Sequence, residues 1–126
     1  MIEGVGIDLV ETERLARIIA RHGSKFLQRV FGEDEINYCS RHAEAAIHYS
    51  ARFAAKESFL KALGIGLGRG VRLREIEVVH DGQGKPALML RGEAEIHVKK
   101  RNISRVHVSL THTKRHATAV VLLEKD

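Results

Sequence analysis

Apolar and polar positions follow one spacing in the first half of this chain and another in the second. Ile2 to Val10 is a short β-branched run and predicts a first strand. From Thr12 the spacing turns helical. Thr12 is placed to cap a helix over about Glu13 to His22 that Gly23 stops, and Ser24 to Phe31 and Glu33 to Arg41 read as two short helices parted by Gly32. Ala43 to Leu63 is the longest helical stretch, rich in Ala, Leu, Glu and Lys, with Gly64 at its end. The second half favours strands. Ile76 to His80 and Pro86 to Leu90 flank the turn Asp81-Gly82-Gln83-Gly84, and Glu93 to Arg101 reads as a short helix. Val106 to Leu110 alternates with His107, Ser109 and Thr111, and Thr113 to Arg115 turns the chain into a last strand, His116 to Glu124. Helices gathered early and hairpins late predict an α+β fold with a mainly antiparallel sheet.

No linker, repeat or low-complexity segment interrupts the 126 residues, so one domain, 1–126, is expected. A lone domain of this length leaves much surface exposed, and self-association is one way to finish burying it. The 21 Lys and Arg outnumber the 16 Asp and Glu, for a formal charge of +5. That balance fits a polyanionic partner, and equally a merely soluble surface. Cys39 is the single cysteine, which excludes an intramolecular disulfide and disfavours a cysteine-based zinc site. The N-terminus has no basic leader, and the longest apolar stretch, Ala117 to Leu123, falls short of the ~20 residues a membrane span needs. A cytoplasmic protein that does not bind membrane is expected.

Few side chains stand out chemically. On the long helix Phe53, Phe59, Leu60 and Leu63 share one apolar arc at 100° per residue. Glu57 and Lys61 sit together off that arc, with Ala54 and Ser58 as small neighbours. On spacing alone they read as a surface ion pair four residues apart. Asp8 is costlier, a carboxylate inside an apolar strand, and it calls for a metal or for a structural role holding a loop or an Arg. Asp8 and Glu57 are a suitable pair for Mg²⁺ if strand and helix meet. Glycines at 64, 66, 68 and 70 allow backbone N–H groups to approach phosphate, although the loop lacks the ending of a P-loop and serves equally as a helix stop. Arg14, Arg17 and Arg21 form a basic stripe beside Leu15, Ile18 and Ile19, suited to an acidic helix, to nucleic acid or simply to solvent. Of eight histidines only His112 and His116 stand four apart, across a turn, so zinc is rejected. His112, closing the run Ser109-Leu110-Thr111, is placed to hold a phosphate, to assist proton transfer or simply to be satisfied at a strand end.

Three motifs together resemble the small holo-acyl-carrier-protein synthase family of 4′-phosphopantetheinyl transferases. Gly6-Ile-Asp8 followed by Arg14 is similar to the family's GxD signature. Arg52-Phe-Ala-Ala-Lys-Glu57-Ser-Phe-Leu-Lys61-Ala-Leu-Gly64 is similar to its AAKE helix and glycine loop. Val108-Ser-Leu-Thr-His112, continuing to Ala119-Val120-Val121, is similar to its penultimate-strand signature. Phe26, Arg29 and Phe31, and later Gly84-Lys85-Pro86, fall between them in the expected order, so the resemblance spans essentially the whole chain. Larger relatives carry a second acid two residues after the first. Here that position is Val10, which places the chain with the short class and implies fewer protein ligands on the metal.

The resemblance implies a reaction and a set of roles. A phosphopantetheine arm passes from coenzyme A to a serine of an acidic acyl carrier protein, releasing adenosine 3′,5′-bisphosphate, in support of fatty acid synthesis. Asp8, Glu57 and Lys61 are the implied catalytic residues, with Mg²⁺ on Asp8 and Glu57 and the serine proton passing to Glu57 or a water on the metal. Arg52, Lys61, Gly64, Gly66 and His112 are implied for coenzyme A, with Arg52 on its 3′-phosphate. Arg14, Arg17 and Arg21 face the carrier, and trimers with sites between subunits are implied. Two other classes compete. A nucleic-acid-binding module fits the charge but not an aromatic content of 5% without tryptophan. A nucleotide hydrolase using the same carboxylates would turn over ATP without any carrier.

Overall fold

The computed structural model describes residues 1–66 and 70–126. Five strands and five helices run in the order β1 (Ile2–Glu11), α1 (Thr12–His22), α2 (Ser24–Val30), α3 (Glu33–Ser40), α4 (Ala45–Leu63), β2 (Ile76–His80), β3 (Pro86–Leu90), α5 (Gly92–Lys100), β4 (Arg105–His112) and β5 (His116–Glu124). All strand pairing is antiparallel, but it falls into two sheets rather than one. β1, β5 and β4 lie in that order, and β2 with β3 forms a separate hairpin. The first strand thus pairs with the last, with Asp8 opposite Ala119 and Val10 opposite Ala117.

α4 is the axis of the molecule. It contacts β1, β5 and β4 on one side and α1, α3 and β2 on others. Thirteen of its 19 residues are consequently buried, rather than the single apolar arc that its spacing suggests. The strand can come this close because it offers no side chain there. A Cβ on Gly4 would stand 2.1 Å from the Ala62 carbonyl oxygen, and one on Gly6 would stand 1.9 Å from that of Ser58. Ser58 then donates its hydroxyl to the Ala119 carbonyl at 2.9 Å, tying the helix to β5. Its small side chain makes room for the sheet, not for a ligand.

A buried ion pair fastens the other side. Lys56 is fully buried, and its Nζ donates to Glu35 Oε1 at 2.7 Å, to the Leu73 carbonyl at 3.2 Å and to the Ile76 carbonyl. Glu35 in turn accepts from the Gly32 and Val78 N–H groups, each at 3.0 Å. One salt bridge therefore joins α3, α4 and the start of β2, with its remaining hydrogen-bonding capacity largely met. Burial pulls the Lys56 ammonium below its ordinary pKa, while Glu35 acts against that.

Element bounds agree with the periodicity to within a residue or two, β4 reaching His112 where the alternation is read to Leu110. One local expectation fails. Thr12 is the first residue of α1 rather than its cap; Glu11 holds the cap position without a side-chain bond, and Thr12 Oγ1 is buried unpartnered. The turn from β5 accounts for it, because the Thr12 N–H donates to the Arg115 carbonyl at 2.9 Å. Among the described residues no helix is long and apolar enough to cross a membrane.

Candidate active site

The close approach of β1 to α4 brings Asp8 to the helix turn that carries Glu57 and Lys61. Lys61 Nζ donates to Asp8 Oδ1 and to the Ile7 carbonyl, both at 3.0 Å. Asp8 is mostly covered while the lysine is half exposed, so the pair is partly screened by water. Glu57 faces the same space. Its pKa is raised, first by burial and then by the Asp8 charge, with Lys61 acting in the opposite direction. A cation shared by the two carboxylates would offset the charge that Asp8 sets against Glu57.

A cavity of about 560 Å³ opens beside them, lined by Asp8, Glu57, Arg14 and His116 with an apolar wall that includes Leu15, Phe26 and Phe53. Arg14 therefore borders the acid pair itself. Arg17 and Arg21 are exposed further along α1, and Arg17 pairs with Glu13 at 3.3 Å. Among the described residues no group of three or more His, Cys, Asp or Glu side chains is placed to hold a metal. Asp8 and Glu57 would thus supply two ligands. That donor set suits Mg²⁺, a hard ion that keeps several waters and takes phosphate oxygens, and it does not suit zinc.

The residues expected at the nucleotide lie elsewhere. Arg52 is five residues before Glu57, which turns it about 140° around the helix. It is buried under α3, with its guanidinium 4.1 Å from the centre of the Tyr38 ring. His112 closes β4 and stands 5.7 Å, ring to ring, from His48 on α4. Tyr38 and His48 are 6.0 Å apart, so Arg52 and His112 belong to one cluster. Gly64 ends α4 in the left-handed conformation at φ 76°, where a side chain would be strained, and Gly66 is exposed. The glycine loop beyond them includes residues 67–69, which lie outside the described residues.

Two features escaped sequence reasoning. Lys56 was readable, because at 100° per residue it falls at the centre of the arc formed by Phe53, Phe59, Leu60 and Leu63. A lysine there demands a buried acid. Tyr38, His42 and His48 left no such signal, since their meeting depends on how α3 packs against α4.

Two carboxylates and an ammonium beside a half-apolar cavity, carried on an α+β scaffold, offer groups suited to phosphate chemistry. Comparison with known proteins makes the class specific. The model of the 4′-phosphopantetheinyl transferase superfamily matches residues 4–121, and the chain belongs to that family. It is 52% identical over 124 residues to the holo-[acyl-carrier-protein] synthase of Syntrophus aciditrophicus, covering 98% of this chain and 97% of that one. Its fold is similar to the holo-[acyl-carrier-protein] synthase of Neisseria meningitidis, with a TM-score of 0.90 and 32% identity over 99% and 100% of the two chains. The Bacillus anthracis holo-(acyl-carrier-protein) synthase in complex with CoA (3′,5′-ADP) matches with a TM-score of 0.81 and 34% identity, over 100% and 99%.

Proposed function

We propose that residues 1–126 act as one transferase domain that moves the 4′-phosphopantetheine arm of coenzyme A to a serine of an apo acyl carrier protein, releasing adenosine 3′,5′-bisphosphate and so supporting fatty acid synthesis. The observation that carries this reading is the meeting of Asp8, Glu57 and Lys61 on a chain of this family. The full-length likeness to holo-acyl-carrier-protein synthases supports it.

Asp8 and Glu57 would hold Mg²⁺, which when bound neutralises phosphate charge and polarises the phosphoryl group under attack. Lys61 adds a point charge beside them and keeps Asp8 oriented through their hydrogen bond. Arg52 and His112 bind the 3′-phosphate end of coenzyme A, and Gly64 and Gly66 border its path. The apolar wall of Leu15, Phe26 and Phe53 excludes water from the side of the cavity where the carrier serine enters. Arg14, Arg17 and Arg21 receive the acidic carrier. The activity is that of a cytoplasmic enzyme.

The protein works as a homotrimer with sites between subunits. Support comes from β1, whose outward residues Val5, Ile7 and Leu9 are 57%, 63% and 66% exposed in a row, an unusually apolar face for a lone domain.

The experiment is the intact mass of an apo acyl carrier protein after incubation with this protein, coenzyme A and Mg²⁺. A gain of one phosphopantetheine arm, absent when EDTA is added, is expected. No gain with several folded carriers would overturn the reading.

A further inference from the structure

Ring and cationic side chains from five parts of the chain converge around Arg52, away from the acid pair. Arg52 is 5% exposed, its Nε has no hydrogen-bond partner, and none of the ion pairs among the described residues includes it. A buried guanidinium lying on a tyrosine ring without a counter-ion is costly, so this place lacks an anion. Around the tyrosine it lies on stand imidazoles, with His42 at 4.7 Å and His48 at 6.0 Å from the Tyr38 ring. His42 and His48 stack at 3.9 Å with 25° between their planes. His112 stands 5.7 Å from His48, and His80 stands 5.5 Å from Tyr38. His42 Nε2 is buried and also unpartnered.

We propose that His48, stacked on His42 and beside His112, makes this cluster a proton-coupled receptor for a phosphate monoester, in which the dianion binds Arg52 together with a proton taken up by His48. The proposal rests on the reading of Arg52 and His112 as contacts of the nucleotide phosphate, and adds to it two histidines and a proton.

The charges around the cluster set the direction. In the free protein the His48 pKa is lowered, first by burial, then by His42, His112 and Arg52, with Glu44 acting the other way. The neighbouring cavity, of about 650 Å³, adds Arg41, Asp34 and Glu35, and Glu35 is already committed to Lys56. A charged His48 stacked on His42 beside a guanidinium would be repelled, so a proton on His48 is disfavoured in the unliganded protein. A phosphate dianion within a few ångströms reverses that preference, because an opposite charge favours the protonated ring. His48 then titrates higher with ligand than without. Between those two points binding takes up a proton, and affinity falls about tenfold per pH unit for one coupled proton.

The test is titration calorimetry of the full chain with adenosine 3′,5′-bisphosphate at pH 7.5, in buffers of different ionisation enthalpy. At that pH the monoester, with a second pKa of about 6, is almost fully ionised and contributes little of the exchange. The wild type should take up as much as about one proton per ligand, and the H42Q/H48Q double variant should take up none. Binding without proton uptake by the wild type overturns the inference and leaves the nucleotide reading intact, whether or not the variant folds. Equal uptake by the variant also overturns it. No binding by the wild type removes the nucleotide reading as well.

Discussion

Gly6 of β1 lies against Ser58 of α4 so closely that a Cβ on the glycine would stand 1.9 Å from the Ser58 carbonyl oxygen. The obstacle is backbone, which has nowhere to go. Gly6→Ala should therefore push strand and helix apart, at a cost of about 1–3 kcal/mol or more. Because Asp8 is two residues further on, the folded fraction should also lose turnover, as small displacements cost on the order of 100-fold. Chemical denaturation and a carrier-modification assay measure the two effects. Adding Ser58→Ala should rescue neither, since the clash is not with the side chain; rescue would show that the packing is misassigned.

Glu57→Gln keeps the shape of the side chain and removes one of the two charges offered to a cation. Turnover should fall by at least about 100-fold while the denaturation midpoint stays the same or rises, because burial and Asp8 already disfavour the charge. Isothermal titration with Mg²⁺ should lose binding in the same variant. Near-normal activity would remove Glu57 from the site.

Arg14→Glu combined with Arg21→Glu reverses two charges on α1. The KM for the carrier should rise about tenfold or more, by less as salt is added, and by more than the KM for coenzyme A. Steady-state kinetics with each substrate varied in turn separates the cases. An equal rise in both constants would argue against a docking face on α1.

Lys56→Met strands Glu35 in the core and should cost about 3–5 kcal/mol. Glu35→Gln in that background removes the stranded charge while retaining an oxygen for the Gly32 N–H, so part of the loss should return. Denaturant midpoints of both variants and the wild type decide this. Additive losses would mean that the two side chains are not coupled.

Val5→Glu with Ile7→Glu places charge on the exposed face of β1. Sedimentation should show the wild type as a trimer and this variant as a monomer with reduced turnover. A monomeric wild type that is fully active would end the oligomer proposal.

Much of this was legible along the chain. Strand and helix bounds follow from local spacing and from glycines placed to end helices, and such signals need no knowledge of the fold. The acid pair was legible in part: Asp8 was conspicuous as a carboxylate in an apolar strand, and Glu57 read as an ordinary surface partner of Lys61 until the AAKE motif set it apart. Local pattern could not show that the two meet, because that depends on Gly4 and Gly6 admitting α4 against β1 from more than fifty residues away. Tertiary structure also decided that Lys56 is a buried clamp, and that Arg52 faces away from Glu57 onto the Tyr38 ring. Chain-local chemistry sets what each side chain offers, whereas burial and long-range packing decide which partner it meets.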